Sequence, residues 1–217
     1  MRRSSVLRRS PAGDGSALDF AFVRGFAIQR PFGNTSLWAK FPERVHSAPM
    51  YNAMFQQMNK TLGQLDKWMD AATAFAKERG FEPNAFLDIR LSPDQFPFVR
   101  QVRTACDTAK LGSSRLSGKE APVHADTETT MDELHARVRA VRAYLDTFTA
   151  KDFEGAGARV ITQPRWEGKV MSGADYFTEH VVPNFFFHST HAYALLRHSG
   201  VNIGKKDFLG TLTQRLP

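Results

Sequence analysis

Residues 184–210 read NFFFHSTHAYALLRHSGVNIGKKDFLG. The run is aromatic and helix-forming as far as Gly200, where a glycine stop precedes a short polar tail. At about 3.6 residues per turn, Asn184, His188, His191, Leu195 and His198 fall along one stripe. Phe185, Phe186, Ala192, Tyr193 and Leu196 occupy the neighbouring positions. A helix this apolar needs cover, so it predicts further helices packed against its phenylalanines. It is expected to begin near Ala174-Asp175 and to run to about Ser199. Pro183 falls inside it and predicts a kink or break near Glu179–Val182, because proline lacks the backbone donor and clashes with the preceding turn.

The covering helices are legible upstream. Tyr51, Met54, Phe55, Met58, Leu62, Leu65, Trp68, Met69, Ala72, Phe75 and Ala76 recur at three- and four-residue steps to Arg79, with Gly80 as the stop. Three prolines (83, 93 and 97) make the next segment a connector. A second helix is expected over Phe98–Ser117, with Val99, Val102, Ala105, Cys106, Ala109 and Leu116 on one side. Thr130-Met-Asp-Glu133 is a capping box that opens a third helix, carried by Met131, Leu134, Val138, Val141, Leu145 and Phe148. Arg137, Arg139 and Arg142 read as a solvated face on it. Two short β-type runs, Arg159–Gln163 and Lys169–Ser172, flank a turn at Glu167-Gly168 and predict a small hairpin, either a lid over a pocket or a plain crossover. The fold class is therefore all-α: an up-and-down four-helix bundle with a small β-hairpin before the last helix.

Residues 1–48 carry eight Lys/Arg against three Asp/Glu, a net of +5 out of the chain's +7. They lack a sustained period and are expected to be a poorly ordered basic leader or a transit peptide, with Met50 as an alternative start. The domain is placed at 49–210 and a tail at 211–217. Because the folded part is nearly balanced in charge, a nucleic-acid surface is not expected. No apolar run approaches the roughly 20 residues of a membrane span. One cysteine, Cys106, excludes an intramolecular disulfide and fits a reducing, cytoplasmic setting.

The histidines invite a metal reading. Bundle metal sites use two ligands at i and i+3 or i+4 on one helix and others across the gap. His188 and His191 meet the first half, and Asp107 on the second helix meets the second. The competing reading is packing and hydrogen bonding, since no H-E-x-x-H or paired-cysteine pattern occurs. His198 is expected at the helix-terminal carbonyls, and His124 and His135 at the surface.

MYNAMFQQMNKTLGQLDKWMDAA (50–72), LSPDQFPFVRQVRTACDTAK (91–110) and the 184–210 run, in that order, resemble the domain of unknown function 1993 family. That family is similar in fold to the DinB/YfiT-like four-helix bundles, a superfamily associated with metal-dependent enzymes, some of them thiol-dependent transferases. The resemblance implies a domain start near Met50, long connections and a homodimer. Positions matching the family's motifs are Asp94, Cys106, Asp107, Asn184, His188, Tyr193, Arg197 and Gly200. DinB metal sites resemble one histidine on the second helix plus an H-x-x-x-H pair on the last. This chain departs from that, with no histidine in Phe98–Ser117 and His188-x-x-His191 preceded by Asn184.

Two functions follow. One is a small-molecule enzyme with its pocket between the second and fourth helices. Its His188 would be metal ligand or general base, Asp107 its partner and Tyr193 the residue orienting substrate, with zinc, nickel or iron as cofactor or none at all. The other is a non-catalytic bundle in which a buried polar network around Asp107 and His188 fixes helix register.

Overall fold

The computed structural model describes residues 47–216. The expected basic leader, Ser47 and Ala48 apart, lies outside those residues. The first helix, α1, spans Ala48–Arg79 and ends at Gly80, whose left-handed φ of 75° directs its N–H back onto the last turn. Its buried face is the predicted one, from Tyr51 through Phe55, Met58, Leu62, Leu65, Trp68 and Met69 to Ala72 and Ala76. α2 spans Phe98–Ser117. α3 spans Met131–Leu145 and opens on the predicted capping box, with the Glu133 N–H donating to Thr130 Oγ1 at 3.2 Å and the Thr130 N–H donating to Glu133 Oε2 at 3.0 Å.

Before the last helix lies the hairpin. β1, Val160–Ile161, pairs antiparallel with β2, Met171–Ser172, in the register Val160↔Ser172 and Ile161↔Met171. The strands are shorter than the predicted runs because a turn at Pro164–Trp166 occupies the middle of the segment. The last long helix, α4, is three contiguous pieces: a turn at Gly173–Asp175, a π-segment at Tyr176–Val181 and an α-helical body at Val182–His198. Pro183 thus produces the expected irregularity without a break. The wider π turn absorbs the missing N–H and makes room for the ring. A final short helix, α5, spans Lys205–Leu209 and packs on α1.

The four long helices form a square in which α1 neighbours α3 and α4, and α2 neighbours the same two. Cross-contacts give their directions. Gln101, Thr108 and Arg115 of α2 meet His188, Asn184 and Tyr176 of α4, an antiparallel pair. Asp107 and Lys119 meet Arg137 and Thr147, so α3 runs alongside α2 in the same sense, which corrects the strict up-and-down alternation expected of the bundle. The connection 118–130 makes this possible, since 13 extended residues reach about 43 Å and a 20-residue helix is about 30 Å long. Gly112 lets α2 close on α4: a Cβ there would stand 2.8 Å from Val181 Cγ1. Around this seam the core is continuous, with Tyr51, Phe55, Phe153 and Phe177 packed ring against ring.

Arg137 and His135 correct the expected solvated face of α3. Arg137 is 3% exposed, enclosed by Asp107, Asp126 and Glu128. His135 is buried against Asp66. Arg139 is exposed as expected, whereas Arg142 is half-buried and donates to Asn59 Oδ1 at 3.0 Å. None of the described helices is long and apolar enough to cross a membrane.

Candidate functional site

Along the seam between α2 and α4 opens a cleft of about 650 Å³. One wall is the α2 face carrying Arg100, Thr104, Asp107, Leu111 and Arg115 at three- and four-residue steps. The facing wall is Tyr176, His180, Asn184 and His188, each four residues after the last, the first two supplied by the π-segment. Gln163 and Arg165, from the loop inside the hairpin, cover one end. A shallower depression beside Phe187 shares His180, Asn184 and His188 with it.

His188 is 7% exposed, and its orientation is fixed by a short chain of hydrogen bonds. The Gln101 side chain donates its Nε2 to the Phe96 carbonyl at 3.0 Å, which turns Oε1 toward His188 Nδ1 at 2.7 Å. An amide oxygen only accepts, so Nδ1 carries the proton and Nε2 is the lone-pair nitrogen. Nε2 has no protein partner among the described residues. Burial, then nearby His191 and Arg100, push the imidazole down to about 4, so it is neutral at physiological pH. Asn184 donates to Thr108 Oγ1 at 2.7 Å and presents its remaining amide atoms beside His188.

Asp107 also lines the cleft, but its carboxylate is held by Arg137 (2.8 Å) and Lys110 (2.8 Å). No hydrogen bond joins it to His188; Gln101 holds that place. The charges around Asp107 balance. Arg103, Lys110 and Arg137 oppose Asp107, Asp126 and Glu128. Lys110 also donates to His124, which burial and that cation lower.

The other sequence-selected residues are dispersed. Tyr193 does not line the cleft and packs against Trp68 and Phe208. His191 donates Nδ1–H to the Phe187 carbonyl at 2.7 Å, one turn back on its own helix. Cys106 is fully buried on α2, its thiol pushed up to about 12, mainly by burial. Asp94 is exposed and accepts from Ser92 Oγ; that bond holds its carboxyl below the usual range. Arg197 reaches the Val201 carbonyl, and Gly200 ends α4 with φ of 96°. Residues that the sequence did not single out complete the site: Arg100, Gln101, Arg115, Gln163, Arg165, Tyr176 and His180. The available signal was the four-residue stripe, which continues from His188 back through Asn184 to His180 and Tyr176.

The family model described as Domain of unknown function (DUF1993) matches residues 50–209. The chain belongs to the DUF1993 family. It is similar to a crystal structure of a DinB family member protein from Shewanella denitrificans, with 43% sequence identity over 77% of this chain and 98% of that one, at a TM-score of 0.73. None of the curated proteins matches it. A DinB-type metal centre is not met by the side chains of this DUF1993 protein. His188, His191 and Asp107 are not gathered, and among the described residues no three His, Cys, Asp or Glu stand close enough to hold a metal. The side chains say why: Asp107 is engaged by two cations, His191 faces its own helix, and Arg100, Arg115 and Arg165 line the space a divalent cation would need.

Proposed function

We propose that this DUF1993 protein binds a small organic molecule in the α2–α4 cleft, with His188 Nε2 accepting a hydrogen bond or proton from it. The observation that supports the reading is the Phe96–Gln101–His188 chain. It holds a neutral imidazole in one tautomer with its basic nitrogen unclaimed, an arrangement that fits a general base or a ligand-orienting acceptor. A cleft of about 650 Å³ is within the ordinary size range of small-molecule sites. Asn184, one turn away, offers the same ligand an amide. A fragment collection titrated into the full chain, followed by the ¹⁵N shifts of the His188 ring, tests this. Ligands in the cleft move Nε2 strongly and Nδ1 little. A collection that moves neither His188 nor Asn184 sinks the proposal.

Asp107 supports the second, structural reading for its own part of the molecule. With Arg137 enclosed by three carboxylates, this cluster ties α2, α3 and the connection between them together, as a register-fixing network would. On this division Asp107 holds the wall of the cleft and His188 meets the ligand.

A further inference from the structure

The arginines along the cleft differ in what they meet. Arg137 is enclosed by carboxylates, and Arg103 pairs with Glu128 at 2.7 Å. Arg115 and Arg165 have no carboxylate partner among the described residues and stand at the same end of the cleft. Arg115 donates Nη1–H to the Tyr176 hydroxyl at 2.8 Å. Arg165 donates Nη2–H to His180 Nε2 at 2.7 Å, which leaves His180 with its proton on Nδ1. That Nδ1 and the amide Nε2 of Gln163 are both buried without a hydrogen-bond partner among the described residues, and Gln163 is only 8% exposed. Among the described residues, this end of the cleft therefore holds a surplus of donors and positive charge, with no acceptor to satisfy it.

We propose that Arg115 and Arg165, with the Tyr176 and His180 side chains they hold, form an oxyanion subsite, and that the ligand of the cleft is an elongated organic anion whose far end lies beside His188. This deepens the reading of the cleft as a ligand site and rests on it. The oxyanion is a carboxylate or phosphate, either of which accepts from guanidinium forks and from the hydroxyl proton of Tyr176. His180 and His188 are eight residues apart on α4, which sets the span of the ligand at about 12 Å. Burial, then Arg165 and Arg115, lower the affinity of His180 for a proton. It therefore stays a neutral donor beside the arginines and adds no repulsion between them.

The test is a titration of the full chain with heptanoate, hexyl phosphate and the neutral heptanamide, followed by NMR of the arginine Nε–Hε and histidine ring signals. It is repeated in Arg115→Gln and in Arg165→Gln. Both anions are expected to bind at least ten-fold tighter than the amide and to move the Arg115 and Arg165 signals together with those of His188. Each variant should weaken the anions at least ten-fold and leave the amide unchanged. Preference for one anion over the other assigns the headgroup and supports the subsite. Amide binding as tight as that of the anions, with His188 shifted, overturns the subsite and leaves the small-molecule cleft standing. Anion binding undiminished in both variants also overturns it. If no probe moves either end, the ligand reading falls as well. Arg165 is exposed, so its variant should fold even if loss of the partly buried Arg115 proves disruptive.

Discussion

Gln101 on α2 accepts a hydrogen bond from Nδ1–H of His188 on α4 at 2.7 Å, across the most extensive helix–helix contact among the described residues. One bond thus joins the packing of the bundle to the state of its most deeply placed cleft base. Gln101→Leu is expected to leave the Nδ1–H without an acceptor and to cost about 1–3 kcal/mol of stability. The tautomer preference should also relax, so the ring nitrogens of His188 should show a mixed pattern in ¹⁵N NMR. A single tautomer unchanged from the wild type would refute the role given to Gln101.

The pH dependence of stability follows from the same ring. His188 in the folded protein is lowered to about 4, whereas an unfolded histidine titrates near 6.5. Below 6.5 the unfolded chain takes up a proton that the folded chain refuses, so stability falls as pH drops from about 6.5 to 4 and this contribution levels off below. His180 and His124, also lowered, act in the same direction. Urea midpoints between pH 7 and 4 check this, and His188→Gln should flatten the slope over that window.

Cys106 should be inert in the native state. Its thiol is fully buried and pushed up to about 12, so almost no thiolate exists at neutral pH. Iodoacetamide at pH 8 is expected to leave the folded protein unmodified and to label it fully in denaturant. Rapid native labelling would show that the α2 core opens.

Removing Arg137 should be severe. Arg137→Met leaves Asp107, Asp126 and Glu128 facing one another without their shared cation, and the expected loss is about 3–5 kcal/mol by chemical denaturation. Replacing exposed Arg139 by Met should change stability by less than about 0.5 kcal/mol.

The bundle was legible because its signals are local. The apolar steps of α1, the glycine stops at Gly80 and Gly200 and the Thr130–Glu133 box each depend on residues within a turn or two of one another. The candidate site was legible only in part. His188, Asn184 and Asp107 stand on two facing helices, and the sequence identifies them. It does not show that Asp107 is claimed by Arg137, because that pairing spans two helices and the placement of Asp126 and Glu128 depends on a long connection. His135 and Arg137 looked like surface residues for the same reason: charge suggests exposure until its partner is known. Gln163 and Arg165 reach the cleft through the fold of the hairpin, which no period encodes. The histidines themselves run forward from His188 toward His198, whereas the wall of the cleft runs backward, through a segment where Pro183 obscures regular helix.

The π-segment Tyr176–Val181 closes its hydrogen bonds over five residues where an α-helix closes them over four. Wound as regular α-helix, the same six residues would rotate the chain before them by about 100° relative to His188. Tyr176 would swing out of the wall while Asn184 and His188 stayed in place. The winding of this one turn, as much as the identity of any side chain, decides whether the two halves of the cleft face each other. Because Pro183 keeps the turn wide, a residue that does not line the α2–α4 cleft sets the shape of that cleft.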